Sequence, residues 1–178
     1  DMEEIYQNLA DAHVQLKDYE QASAVYEAAL VLDGNNGGVW NNLGEVHMRR
    51  GDYAAAEAAF RRAAELLPQS HEPANNLGNV LDAQGAGRRQ EALQAYRLAL
   101  PLAPDDGARA AIYANLGETL RRARDFGAAT AVLDSSLNLA PTADANDYRG
   151  RVAFDTGDMV GAVAFWQQAV ALEPELGT

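Results

Sequence analysis

Four asparagines, Asn8, Asn42, Asn76 and Asn115, stand in equivalent places along this chain of 178 residues, and the first three are 34 residues apart. An asparagine amide carries two donors and an acceptor, so it can bond both the N–H and the C=O of one peptide unit. A ladder of them at a repeat spacing would hold an extended peptide by its backbone with little regard to its sequence. The same residues could instead only solvate and space the elements that carry them. Tyr148 takes the fifth equivalent place. About three residues further on stand Asp11, Glu45, Asn79, Glu118 and Arg151, and Arg49, Arg121 and Arg122 follow one turn later. A peptide bearing both charges, or a partner helix, would suit this mixture.

Other reactive residue types lack the arrangement that chemistry needs. His13 and His47 are one period apart, and His71 lies in a turn. Metal sites need three or four converging ligands, and His13 and His47 fill a position suited to an aromatic, so packing and no metal is expected. Gly85-Ala86-Gly87 is a fragment of a phosphate-binding glycine pattern. It follows a helix rather than a strand and no Lys-Ser/Thr comes after it, so it reads as a lengthened turn. Arg88-Arg89 beside it is a candidate edge contact for a partner. Ser135-Ser136 have no histidine on the same face, and no paired-carboxylate cleft is legible. Cysteine is absent, which removes disulfides, thiolate metal sites and a cysteine nucleophile. Neither catalysis nor a cofactor is expected.

A repeat sets the elements that position these residues. The stretch from Trp40 to Pro68 has fixed points at Trp40, Leu43, Gly44, His47, Gly51, Tyr53, Ala56, Phe60 and Ala63. Earlier by 34 residues, Tyr6, Leu9, Ala10, His13, Tyr19, Ala22, Tyr26 and Ala29 stand in matching places. Later copies keep Leu77, Gly78 and Tyr96, then Leu116, Gly117 and Leu133, then Gly150, Ala162 and Trp166. The units read as about 3–36, 37–70, 71–106, 110–143 and 143–176. The third has a longer inner turn at 85–90, and residues 106–109 are an insertion before the fourth. In the second unit Trp40, Leu43, His47 and Arg50 share one helical face over 39–50, and Gly51-Asp52 breaks the helix. Ala56, Phe60, Ala63 and Leu67 share a face over 53–67, and Pro68, without an N–H, ends it. Gly44 and Ala56 permit close approach while Trp40 and Phe60 fill the space beside them. One pair cannot bury both of its faces, but stacked pairs can. The expected fold class is all-α, about ten antiparallel helices in one curved solenoid. Within each first helix the residue before the repeat's Leu points to the concave side, where the asparagines fall.

Charge narrows the partners. The net charge is −12, with −7 in residues 1–36, −4 in 143–178 and −1 between. Such a chain repels phosphate backbones and anionic membrane surfaces, so no nucleic acid is expected. No run approaches the roughly 18 apolar residues that span a bilayer, and no signal peptide is present, so no direct membrane insertion is expected. The compartment, cytoplasmic or periplasmic, stays open. The chain begins at Asp1, which reads as a processed chain or part of a longer one. The basic residues are thirteen Arg and one Lys, a composition that leans bacterial.

The pattern resembles the tetratricopeptide repeat, with Trp40, Leu43, Gly44, His47, Ala56, Phe60, Ala63 and Pro68 on its signature positions and five copies covering essentially the whole chain. His47 replaces the usual Tyr. Pentatricopeptide and other helical arrays are alternatives, and the acidic charge argues against the RNA-binding kind. The resemblance implies a right-handed superhelical scaffold that binds a protein or peptide on the concave surface of its first helices. The asparagines are similar to the ladder inside the superhelical arm of O-linked N-acetylglucosamine transferases. The carboxylate clamp of chaperone-binding relatives is not matched, because its lysine position holds Gln7, Asn41, Asn75, Ala114 and Asp147, so no clamp function is expected. In the fifth unit Asn146 and Arg149 stand where Trp and Leu are preferred, which predicts a loosely packed or offset first helix.

Solenoids usually finish with a polar capping helix. Here Phe165, Trp166, Ala169, Val170 and Leu172 fall on the last helix, which predicts self-association or partner docking there. The leading expectation is an adaptor holding an extended segment of a partner. The alternatives are an assembly subunit acting through its ends or convex face, and the substrate-recruiting arm of a larger enzyme such as a glycosyltransferase.

Overall fold

The computed structural model describes residues 2–172. Among them are ten α-helices: α1 (Met2–Gln15), α2 (Tyr19–Leu32), α3 (Gly37–Arg50), α4 (Tyr53–Leu66), α5 (Glu72–Ala83), α6 (Arg89–Ala99), α7 (Asp106–Arg122), α8 (Phe126–Leu139), α9 (Ala143–Asp155) and α10 (Met159–Leu172). The chain divides into two compact units, residues 1–95 and 96–178. In the first, α1 packs on α2, α2 on α3, α3 on α4 and α4 on α5; in the second, α7 packs on α8, α8 on α9 and α9 on α10.

The turn between the helices of a pair has one recurring solution. Lys17 (φ 59), Gly51 (φ 82), Arg124 (φ 63) and Gly157 (φ 88) all take the left-handed conformation that closes the first helix. An aspartate follows each of them. Asp18, Asp125 and Asp158 then cap the second helix, accepting from the N–H of Gln21, Ala128 and Gly161 at 3.3, 3.1 and 2.9 Å. The third unit instead turns through Gly85 (φ 108) and a short 3₁₀ helix, Ala86–Arg88, which absorbs its longer inner turn.

In four of the pairs a small residue in the core faces a large one. A β-carbon added to Gly44 would lie 2.6 Å from the Phe60 ring, one on Gly117 would run into the Leu133 side chain, and one on Gly150 would lie 2.7 Å from the Trp166 indole nitrogen. Ala10 and Tyr26, both buried, hold the matching places in the first unit. These contacts set how closely the paired helices approach.

Two sequence expectations are corrected. The fourth unit does not begin near Ala110: α7 starts at Asp106, because Asp105 caps it by accepting from Ala108 N–H at 2.8 Å, so the inserted residues add a helical turn. The first helix of the fifth unit is not loosely packed. Asn146 is buried and bonds its amide to the Thr142 carbonyl at 2.9 Å, and Arg149 pairs with Asp134 at 2.8 Å while its guanidinium lies over the Phe165 ring. Polar side chains here fill the places of Trp and Leu by finding local partners.

Arg88 and Arg89 both have partners within the chain. Arg88 bonds Glu57 at 2.8 and 3.2 Å, Gln84 at 2.8 Å and Glu91 at 2.8 and 3.0 Å, and Arg89 lies 3.4 Å from the buried Asp82. Hydrogen bonds from Arg88 hold the Glu57 carboxyl down at about 2; burial pushes the other way, and Gln84 and Arg61 add to the lowering. A carboxylate whose folded pKa lies below its unfolded value contributes stability that is full above the unfolded value and lost as pH falls through the folded one. Glu57→Gln is therefore expected to flatten the loss of stability between pH 4.5 and about pH 2. Melting temperatures across a pH series check this; an unchanged slope would remove Glu57 from the account of acid sensitivity.

Candidate functional site

In the first compact unit the predicted inner-face residues come from α1, α3 and α5. Asn8 is exposed on α1, while Asn42 on α3 and Asn76 on α5 are half-buried. Asp11, Asn42, Glu45 and Arg49 line a single recess of about 220 Å³ between α1 and α3, with Val14, Gln15, Val46 and Tyr26 completing its walls. Tyr26 reaches it from α2. Its hydroxyl donates to Asp11, and Asn42 bonds the same hydroxyl. Burial first, then the bond to Asp11, pushes the phenol pKa well above its ordinary value, so it stays a donor.

Asn76 donates to Asn41 Oδ1 at 3.1 Å and to Glu45 Oε1 at 3.4 Å. Arg49 lies 3.7 Å from Glu45 across one helical turn. Asn79 is half-buried on α5. Two of the three asparagines here are thus tied to neighbouring helices through one part of the amide.

In the second unit Asn115 is half-buried on α7, one turn before Glu118. Glu118, only 5 % exposed, accepts from Arg121 at 2.7 and 2.9 Å and from Arg122 at 3.0 Å, with Arg151 of α9 at 3.7 Å. Burial pushes its carboxyl up, but the bonds and charges of Arg121 and Arg122 outweigh this and leave it below the usual range. Arg121 also pairs with Asp155, and Arg151 with Asp147 at 2.6 Å, while the Arg151 guanidinium lies 5.6 Å from the centre of the Tyr148 ring. The five predicted residues Glu118, Arg121, Arg122, Tyr148 and Arg151 thus converge on one surface.

The last helix is divided in its exposure. Trp166 is turned inward, its ring over Gly150 and its indole N–H donating to Asp147 at 3.1 Å. Phe165 and Ala169 are half-buried, while Val160, Val163 and Val170 are exposed. His13 and His47 are not brought together: each sits beside the aspartate of its own turn, Asp18 at 3.5 Å and Asp52 at 4.0 Å. No group of three or more His, Asp or Glu among the described residues is arranged to hold a metal, and none of the described helices is long and apolar enough to cross a membrane.

Sequence reasoning missed the part of Tyr26 and the partners Asn41, Asp147 and Asp155. Tyr26 stands where Phe60 stands one period later, and the phenolic hydroxyl was the available signal that this core position also has a polar end. It also missed an apolar recess of about 410 Å³ between α2 and α4, floored by Trp40, Leu43 and His47 and walled by Leu30, Ala55 and Ala58.

The family model described as tetratricopeptide repeat matches residues 8–71 and 114–175. Among solved structures, PilW, described as a widely conserved type IV pilus biogenesis factor, is 26% identical, with 96% of this chain and 77% of that one covered at a TM-score of 0.85. TTC0263, a thermophilic TPR protein of Thermus thermophilus, is 18% identical, covering 97% and 92% at 0.83. YrrB, described as a TPR protein with an unusual peptide-binding site, is 22% identical, covering 96% and 86% at 0.67. No curated protein matches.

Proposed function

The chain belongs to the tetratricopeptide repeat family, and from that premise we propose that it is a protein-interaction scaffold whose first-helix face holds an extended segment of a partner. The observation that carries this reading is the shared recess: Asp11 of α1 and Asn42, Glu45 and Arg49 of α3 open onto one space, with Asn76 of α5 bonded to Glu45. The bonds that hold Asn42 and Asn76 orient their amides in advance, which lowers the entropy lost when a peptide binds. Asn76 uses its N–H for Glu45 and Asn41 and keeps its carbonyl oxygen for a peptide N–H. The description of YrrB as having a peptide-binding site supports the same kind of ligand.

Selection from a displayed library of random peptides, followed by titration of the enriched sequences, tests this. Asn8→Ala and Asn76→Ala are each expected to cost about 1 kcal/mol of binding, roughly fivefold in Kd, with the melting temperature unchanged for Asn8→Ala and lowered for Asn76→Ala, which takes a donor from the buried Asn41. Asn8 is the cleaner variant, being exposed. Enriched peptides that bind both variants as tightly as the unsubstituted chain would remove the asparagines from the contact, and no enrichment at all would end the reading.

A further inference from the structure

We infer that the recess between α1 and α3 is a subsite for one lysine or arginine side chain of the bound segment. This rests on the proposed peptide-binding face and gives it a chemical preference. The recess is lined mainly by polar groups and holds carboxylates from two facing helices, Asp11 on α1 and Glu45 on α3. Its third charged group is Arg49, which lies 3.7 Å from Glu45 with nearly half of its side chain in water. An exposed pair at that separation is weakly held, so Arg49 can swing aside without much cost.

Asp11 differs from the other inner-face carboxylates. Glu118 is neutralised by arginines in the second unit, whereas no cation of the described residues lies within ion-pair range of Asp11. Its bond is to the neutral Tyr26 hydroxyl, which occupies one oxygen and fixes the other in place. Asn42 also bonds that hydroxyl. The recess is therefore a preformed cavity with one uncompensated negative charge, in a segment where residues 1–36 carry −7. The Tyr26 phenol reports the same field: after burial, the Asp11 carboxylate is the next largest cause of its raised pKa, and Glu45 pushes in the same direction. A lone divalent ion is a poor occupant, since hard cations take six or more oxygens or keep most of their water. A guanidinium or ammonium needs only one or two carboxylates, and a long side chain reaches the floor while its backbone stays on the rim with Asn42.

The test uses the whole chain and the same displayed library. Enriched peptides are expected to carry Lys or Arg at one fixed position, and replacing it with Gln should weaken binding about tenfold or more. Asp11→Asn retains an acceptor for Tyr26, so folding should be unaffected while affinity for the basic peptide falls by a similar factor. Against the Gln-substituted peptide the same variant should change affinity little, and Arg49→Gln should tighten the basic peptide. Affinity for the basic peptide should also fall with added salt. The inference is overturned if enriched peptides lose affinity in Asn8→Ala and Asn76→Ala yet show no basic position, or if Asp11→Asn weakens basic and Gln-substituted peptides equally; the peptide-binding face then stands without this subsite. If no peptide is enriched, both fail together. If a basic position appears and depends on Asp11 but not on Asn8 or Asn76, the subsite stands and the asparagine ladder falls.

Discussion

Phe60→Ala is expected to destabilise the chain by about 3–5 kcal/mol, the range for removing a fully buried aromatic ring. Phe60 is 0% exposed, and its ring lies directly on Gly44 of the facing helix. Glycine has no side chain to move into the hole, and the helix backbones are held at both ends by the Gly51-Asp52 turn and by α5, so the cavity collapses only in part. The loss extends beyond one pair, because neighbouring repeats stabilise each other through their interfaces. Phe60→Leu is the informative control. Leu133 already fills the corresponding place opposite Gly117, so leucine should fit here with a much smaller loss. Urea unfolding followed by far-ultraviolet circular dichroism measures both. A loss under about 1 kcal/mol for alanine, or equal losses for alanine and leucine, would contradict the small-to-large packing account.

Glu118→Ala is expected to cost about 3 kcal/mol, at the low end of the range for breaking a buried ion pair. The carboxylate is 5% exposed and accepts from Arg121, whose side chain is 19% exposed, so removing it leaves a largely buried guanidinium with only Asp155. Arg122 and Arg151 are more than 40% exposed and recover water, which keeps the loss from being larger. Glu118→Gln retains the shape and one acceptor but not the charge. It should lie between the two, and its difference from the unsubstituted chain should shrink as pH falls, because the folded carboxyl lies below its usual range and its contribution is lost on protonation. Guanidinium chloride would screen the pairs under test, so urea is the appropriate denaturant. Equal stability of Glu118→Ala and the unsubstituted chain would mean that Asp155 satisfies Arg121 and Asp147 satisfies Arg151 without Glu118.

Much of the fold was legible because the repeat makes local signals agree. The small residue at Gly44, the large one at Phe60 and the turn at Gly51 each have counterparts in other copies, so a weak preference at one copy becomes a strong one over several. The start of α7 was misplaced because an insertion can extend a helix or lengthen a loop, and only the Asp105 cap decides between them. The fifth unit was judged by the residues it lacks. Asn146 and Arg149 break the apolar pattern, yet the Thr142 carbonyl takes the Asn146 amide N–H and Asp134 pairs with Arg149, from positions that periodicity does not mark.

By itself, the sequence determined the fold class, the helix pairs and which residues share the first-helix face, since helical periodicity and chain order settle all three. It could place Asn42 and Glu45 on one side of α3, and Asp11 on the matching side of α1. Only the tertiary structure decided what those side chains do. Tyr26 enters the recess from a helix whose role looked purely apolar, and Glu118 meets Arg151 from two helices away. Trp166, which the repeat register placed on the last helix, turns inward over Gly150. The physical reason is the same in each case. Periodicity fixes the direction of a side chain about its own helix axis, whereas the partner it meets depends on how closely two helices approach, and that distance is set by the residue opposite.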